Sequence, residues 1–552
     1  MSQVRSKTCR PGTEGMEIAE KRKKELMNVQ EYIQQVFSLG EKSGTVIRSD
    51  KGVVEEFNAL ALKAFEFQRE HCAVYREYLE FIGKGDFHPT SVEEIPFLPI
   101  QLFKSRIIYS DPGSQNNGDH GQRATELQKR LENGAFSEEP ECVRECSLMF
   151  TSSATTGMVP SRHLIAEPEI YERSFMEGFR RVYGESGSYN LLALLPSYLE
   201  RKGSSLVYMA DKLIAETKRH GAEGGFFLYD HAHLLQTLKA LNRNYFQTES
   251  HFKEGHIQDN CAQNNYLKCD LPQSNDVQRK LPQSNVLKEV SQNGLSNNGF
   301  LQEDHLCNVQ RKTILLGVSF ALLDFAKFVA EQMPDAEERG ALFSDVVIIE
   351  TGGMKGRGEE LSREELHKRL REGFVSARID SEYGMCELLS QAYSIGNQRS
   401  ERLECCGQKE VNSKNNIPYS GNNQILDEGV FLTPPWMRVL ARDLQDPFKV
   451  FSTPDATPVT CQNEGNQAHN ECSFLEEGIQ SPNIKRFVEG GLNIIDLANI
   501  YSCCFIETED MGRIFYSSAM NNAFQESIHP PFTVDGRIQH SELRGCNMLI
   551  QD

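Results

Sequence analysis

Apolar residues recur at three- and four-residue spacing from Phe57 to Phe81: Phe57, Leu60, Ala61, Ala64 and Phe67, then Val74, Tyr78 and Phe81. That period gathers them on one helix face, so the stretch predicts helix. Ile95-Pro-Phe-Leu-Pro-Ile100 follows, and its prolines disfavour helix and predict extended chain. From Leu148 the pattern alternates. Asn190–Leu195 reads as a buried strand, Gly203–Ile214 as the helix after it, and Phe226–Tyr229 as another strand before a helical pattern through Leu241. Thr313–Gly317, Ala321–Gln332 and Asp345–Glu350 repeat the strand–helix–strand order. Such alternation predicts a parallel sheet covered on both faces. After Asn493, short strands are expected at Cys503–Ile506, Gly512–Phe515 and Phe532–Val534.

Polar stretches interrupt these elements. Residues 244–310 are rich in Asn, Gln and Ser and repeat Leu-Pro-Gln-Ser-Asn at Leu271–Asn275 and Leu281–Asn285. So little apolar surface cannot offset chain entropy, and a disordered insertion is expected. The organisation read from the chain is therefore a helical leader over 1–110, a polar insertion over 111–146 and an α/β subdomain over 147–398 that contains the 244–310 insertion. A second polar insertion follows over 399–430, then a β-rich C-terminal subdomain over 431–552 with a polar stretch at 453–482.

Charge narrows the partners. Against 59 Lys and Arg stand 78 Asp and Glu, a formal net charge of −19, which argues against nucleic acid as a main partner. No run approaches the ~20 apolar residues of a membrane span, so no integral membrane segment is expected. The start, Met-Ser-Gln-Val-Arg-Ser-Lys, lacks the apolar core of a secretory signal. Fifteen cysteines, an odd number that includes the adjacent pairs Cys405-Cys406 and Cys503-Cys504, suit reduced thiols and a cytoplasmic location.

Three segments carry candidate chemistry. Ser152-Ser153-Ala154-Thr155-Thr156-Gly157 offers hydroxyls and backbone N–H groups to phosphate oxygens. Its bland reading is an ordinary Ser/Thr turn. Tyr383-Gly384-Met-Cys-Glu387 sets an aromatic ring about one helical turn from a carboxylate. The ring suits stacking on a base and the carboxylate suits Mg²⁺ held between phosphates. The bland reading is a surface turn. Asp510, expected just after a strand, and Arg537 suit a ribose and a phosphate, although isolated residues of these types are more often structural.

In their order these segments resemble the adenylate-forming superfamily, together with a Gly-Gly loop at Glu350-Thr-Gly352-Gly353-Met. The chain is more similar to LuxE-type acyl-protein synthetases, through Ile95–Lys104, Ser161-Arg-His163, Leu195–Arg201, Ser381–Gln391, Ile494–Asn499 and Leu543–Asn547. The resemblance implies an α/β fold like the N-terminal domain of adenylate-forming enzymes, without their small mobile C-terminal domain. It implies ATP and Mg as cofactors, a fatty acid substrate, and an acyl-acceptor protein such as a fatty acid reductase. By the same resemblance, Ser152, Ser153, Thr155, Thr156 and Gly157 cradle phosphates, and Gly352, Gly353, Tyr383 and Gly384 border the adenine. Glu387 takes the metal, Asp510 the ribose, and Arg537 closes the nucleotide site. Cys546 accepts the acyl group, as a thiolate competent toward acyl-AMP. His163 either lines the acyl pocket or is a hydrogen-bonded core residue.

The chain departs from the family pattern at Ala154, where a glycine is usual, and at Cys386, where a threonine is usual. The lysine that follows the phosphate loop in acyl-CoA synthetases is absent, with Pro160 or Ser161 in its place. A phenylacetate-type acyl-CoA ligase and a non-catalytic adenylate-binding module remain as alternatives.

Overall fold

The computed structural model describes residues 27–43, 51–110, 148–152, 159–196, 203–253, 311–352, 361–396, 429–451, 486–516 and 529–538. The polar stretches expected at 111–146, most of 399–430 and 453–482 lie outside these. So do Ser153, Thr155, Thr156, Gly157, Gly353 and Cys546.

The leader comprises helices α1 (Val29–Ser43), α2 (Lys51–His71) and α3 (Ala73–Phe81). The single helical stretch expected over Phe57–Phe81 is thus two helices. Cys72 breaks it with an extended backbone, φ −100° and ψ 104°, and bridges to Ser110. Phe57, Leu60, Ala61, Ala64 and Phe67 are buried as their period requires, whereas Phe81, assigned to the same face, is 63% exposed. The proline-punctuated segment forms the short strand β1 (Leu98–Pro99), followed by one turn of helix, α4 (Leu102–Ser105).

Strands β2 (Leu148–Thr151) and β3 (Arg162–Ile165) make a separate antiparallel pair. Then come α5 (Pro168–Tyr183), β4 (Tyr189–Leu194), α6 (Ser205–Arg219), β5 (Gly224–Phe226) and α7 (His231–Lys253). Ser204 caps α6, accepting a hydrogen bond from the Val207 N–H, which satisfies one of the orphan donors of its first turn. The strand expected at Phe226–Tyr229 instead ends at Phe226; Leu228 turns with φ +43°, which closes off pairing. Helix α7 continues past Asn244, where the polar composition begins. The chain divides into one unit of residues 1–239 with 311–552 and a second of 240–310, whose described part is the end of α7.

The first unit continues with β6 (Lys312–Val318), α8 (Ser319–Gln332), α9 (Ala336–Phe343), β7 (Val346–Thr351), α10 (Arg363–Gly373), β8 (Arg378–Tyr383) and β9 (Ala392–Ser394). The sheet order is β5-β4-β6-β7-β8-β9, parallel except for β9. From β4 the chain moves to β5 on one side, and from β6 to β7 on the other. Right-handed crossovers therefore put α6 and α8 on opposite faces. The buried runs of β4 and β7 follow from that double cover.

The second sheet contains β1, β10 (Met437–Arg442), β11 (Val450–Phe451), β12 (Arg486–Asp496), β13 (Phe505–Tyr516) and β14 (Gly536–Arg537). Cys503–Ile506 and Gly512–Phe515, expected as separate short strands, are largely parts of the single strand β13. Asp510 accordingly lies inside a strand, not just after one. Distant segments close the core. The Tyr32 hydroxyl donates to the Leu497 carbonyl at 3.2 Å, and Gln68 Nε2 reaches the carbonyls of Asn499, Ile500 and Ser502.

Candidate nucleotide-binding site

The C-terminal end of β8 meets the second sheet, where Tyr383 reaches Asp510; open α/β sheets bind ligands beyond the C-terminal ends of their strands. Beyond Thr351 the chain turns at Gly352, whose φ of +62° is left-handed and suits glycine. The Ser319 hydroxyl, at the start of α8, donates to the Gly352 carbonyl and lies 3.1 Å from Glu350 Oε2. Burial pushes the Glu350 carboxyl up, but His367 and Arg363, each 3.6 Å from Oε1, bring it below the ordinary glutamate value. Behind the edge, the Thr351 hydroxyl donates to Glu382, whose burial raises its carboxyl to about 7. A Cβ at Gly384 would press on the Glu382 carboxyl, which would have to shift to make room for it.

Tyr383 ends β8. Its ring has Phe431 and Phe532 as neighbours, with centroids at 5.8 and 5.6 Å. Its hydroxyl donates to Asp510 Oδ2 at 2.8 Å. The antiparallel register of β13 and β14 sets Arg537 directly across from Asp510, with Nε 3.7 Å from Oδ1. Burial raises the Asp510 carboxyl, while the Tyr383 hydroxyl and Arg537 pull the other way. Arg537 itself is 81% exposed. Three residues from separate parts of the chain thus meet at one edge.

Glu387 follows in a turn rather than a helix, so the helical spacing to Tyr383 is not realised. Glu387 is 4% exposed, and burial raises its carboxyl, with Ser161, Cys386 and Lys104 favouring the charged form. Ser161 also closes the stem of the hydroxyl-rich loop. Its N–H donates to Ser152 Oγ at 2.9 Å, and its carbonyl accepts from the Ser152 N–H at 3.1 Å. The one predicted phosphate-loop residue described therefore stands beside the residue that borders Glu387.

His163, on β3, is 1% exposed. Its Nδ1 lies 2.7 Å from the Cys386 carbonyl and its Nε2 lies 3.2 Å from Asn499 Oδ1. Burial lowers its pKa to about 4, so the ring is neutral near pH 7. Asn499 in turn donates to the Glu387 carbonyl at 2.9 Å. His163 and Asn499 therefore hold the 386–387 turn from two sides.

Asp496 secures the next residues. It is fully buried and accepts from the N–H groups of Leu389 and Ser390, from the Ser390 hydroxyl and, at 3.3 Å, from the Ala498 N–H. Burial lifts its carboxyl to about 6 against those donors. Asp496 and Asn499 stand in a stretch noted for its resemblance, but their roles could not be assigned before the fold set them against the 386–390 turn.

The residue types suit Mg²⁺ and a nucleotide. Mg²⁺ takes one or two carboxylates and completes its shell with phosphate oxygens and water. Glu387 is a single buried carboxylate, and among the described residues no basic side chain pairs with it within 4.0 Å. No cluster of three or more His, Cys, Asp or Glu side chains able to hold a metal occurs among the described residues. No helix among them is long and apolar enough to cross a membrane.

No protein-family model matches the chain, and no curated protein matches it. Among solved structures it is similar to ATP-bound MatB from Rhodopseudomonas palustris, at 11% identity and a TM-score of 0.33. The ATP-bound RpMatB-BxBclM chimera B3 is similar at 12% identity and the same TM-score. Each likeness covers 70% of this chain and 47% of the other, so the chain spans about half the length of these structures. A likeness so distant assigns no chemistry.

Proposed function

We propose that this protein activates a fatty acid with ATP and passes the acyl group to a protein thiol, as an acyl-protein synthetase. The observation that carries this reading is the junction of Tyr383, Asp510 and Arg537 at the parallel-sheet edge, with Glu387 beside the stem of the hydroxyl-rich loop. In the first step a carboxylate oxygen bonds to the α-phosphorus, the bond to the β-phosphate bridge breaks, and pyrophosphate leaves. In the second, the Cys546 thiolate bonds to the acyl carbon and AMP departs with the mixed-anhydride oxygen.

Asp510 receives the ribose hydroxyls by exchanging its Tyr383 hydrogen bond, and Arg537 faces a phosphate from the rim. Glu387 holds Mg²⁺, which neutralises phosphate charge when bound. The pinned 386–390 turn supplies positioning, the larger part of what such a site contributes. The protein partner is the acceptor of the Cys546 thioester, of which a fatty acid reductase is one example.

Exchange of labelled pyrophosphate into ATP is expected only when fatty acid is present. Glu387→Ala should reduce that exchange by about 100-fold or more; undiminished exchange removes the metal role. Cys546→Ser should keep exchange yet lose covalent labelling by radioactive fatty acid. Labelling that persists moves the acceptor to another residue, and acyl-CoA formation with free CoA replaces the protein-acceptor reading with a CoA ligase.

A further inference from the structure

Arg363 opens α10, just behind the cap residue Ser362, whose side chain accepts from the Glu365 N–H at 3.3 Å. A cation in the first turn of a helix opposes the dipole, which suits the neighbouring Glu364 and Glu365 instead. The helix therefore gives no reason for arginine here, and the contacts beyond it do. Arg363 Nε lies 3.6 Å from Glu350 Oε1, near the end of β7, and Nη1 donates to the Val534 carbonyl at 3.2 Å. The guanidinium stands over the Phe431 ring, 4.7 Å from its centroid. One cation thus meets three segments at once, a use that suits the planar fork and face of arginine.

Each of the three leads to the site. Glu350 stands just before the Gly352 turn, and the Ser319 hydroxyl links the two. Phe431 is a neighbour of the Tyr383 ring and exchanges backbone hydrogen bonds with Phe532 in both directions. Val534 runs into β14, which sets Arg537 across from Asp510. When a ribose takes Asp510 from the Tyr383 hydroxyl, the sheets lose that side-chain link just as the ligand arrives. The contacts of Arg363 use other atoms and survive the exchange. We propose that Arg363 is a positioning residue of the nucleotide site, holding the Gly352 turn, the Phe431 support of Tyr383 and the strand of Arg537 in one register while the ligand is bound. This rests on the nucleotide reading above and adds a residue to it.

The test is binding of ATP and of AMP to the full chain, read by calorimetry at a temperature where every variant is folded. Arg363→Met keeps the apolar stem and should weaken ATP and AMP alike, by about tenfold, the size of one charge-assisted hydrogen bond. Arg363→Lys, which keeps the charge without the planar fork, should recover part of both. Arg369→Ala is the control: it removes an exposed partner of Glu365 from the same helix and should bind as wild type. Arg363→Gln serves if the methionine variant does not fold. A loss confined to ATP makes Arg363 a phosphate contact and overturns the positioning role. Unchanged affinity for both nucleotides in a variant that only melts earlier overturns it too. A wild-type protein that binds neither nucleotide removes the nucleotide reading and this inference with it. Nucleotide binding that depends on Arg363 without fatty-acid-dependent pyrophosphate exchange keeps the inference and removes the proposed reaction.

Discussion

Asp496 and Asp510 sit on neighbouring strands of one sheet, and both are raised above the ordinary aspartate value by burial. Their partners differ. Asp496 is surrounded by donors that belong to the framework, mostly backbone N–H groups whose positions are fixed by the fold. Asp510 has one hydroxyl from the buried Tyr383 and an exposed arginine, and the arginine is free to turn toward something else. A carboxylate saturated by backbone holds a turn in place. A carboxylate met only by side chains, one of them exposed, is held less firmly.

The strongest way to break that contrast is Asp496→Ala. It leaves three backbone donors and a serine hydroxyl without that acceptor in the core, and should cost about 3–5 kcal/mol in urea unfolding. Asp510→Ala should cost less, about 1–2 kcal/mol by the same measurement, since it strands one buried hydroxyl and an arginine that already meets water. Equal losses would show that both carboxylates are framework.

Next in size is a pH effect. Glu382 is held at about 7 in the folded protein, above the 4.5 of the unfolded chain, so folding favours its protonated form. Its contribution is fully present below pH 4.5 and is lost as pH rises through 7, in all about 3 kcal/mol. Asp496 has the same sign over a lower window, from 3.8 to about 6. Glu382→Gln should therefore remove the decline between pH 6 and 7 and lessen it between 4.5 and 6, leaving the share due to Asp496. A decline unchanged in the variant assigns it to another group.

The smallest stability effect is expected for Arg537→Ala. An exposed ion pair contributes little, so the melting temperature should move by no more than about a degree. ATP affinity should nonetheless fall about threefold to tenfold if Arg537 faces phosphate. Lost stability with unchanged affinity would make it a strand-pairing residue only.

The parallel strands were legible where burial on both faces wrote an uninterrupted apolar run, as at Asn190–Leu195 and Asp345–Glu350. They were misread where the run and the strand separate: Gly224 and Gly225 pair in β5, while Phe227 to Tyr229 belong to the turn after it. Asp510 and Arg537 were each visible as candidates, but their opposition is a matter of register between β13 and β14. Register between segments so separated leaves no local trace in composition or period. His163, Asn499 and Asp496 act on the 386–390 turn through hydrogen bonds that exist only once three parts of the chain have met.

Those meetings set a condition on how the molecule is made. Tyr32 and Gln68, near the start of the chain, complete their hydrogen bonds with Leu497 and with residues 499–504. Strand β1 likewise waits for β13 as its parallel partner. During synthesis the leader helices emerge with an apolar face that has no cover until the closing strands leave the ribosome. Contacts so distant along the chain are slow to form, and the interval exposes the chain to aggregation.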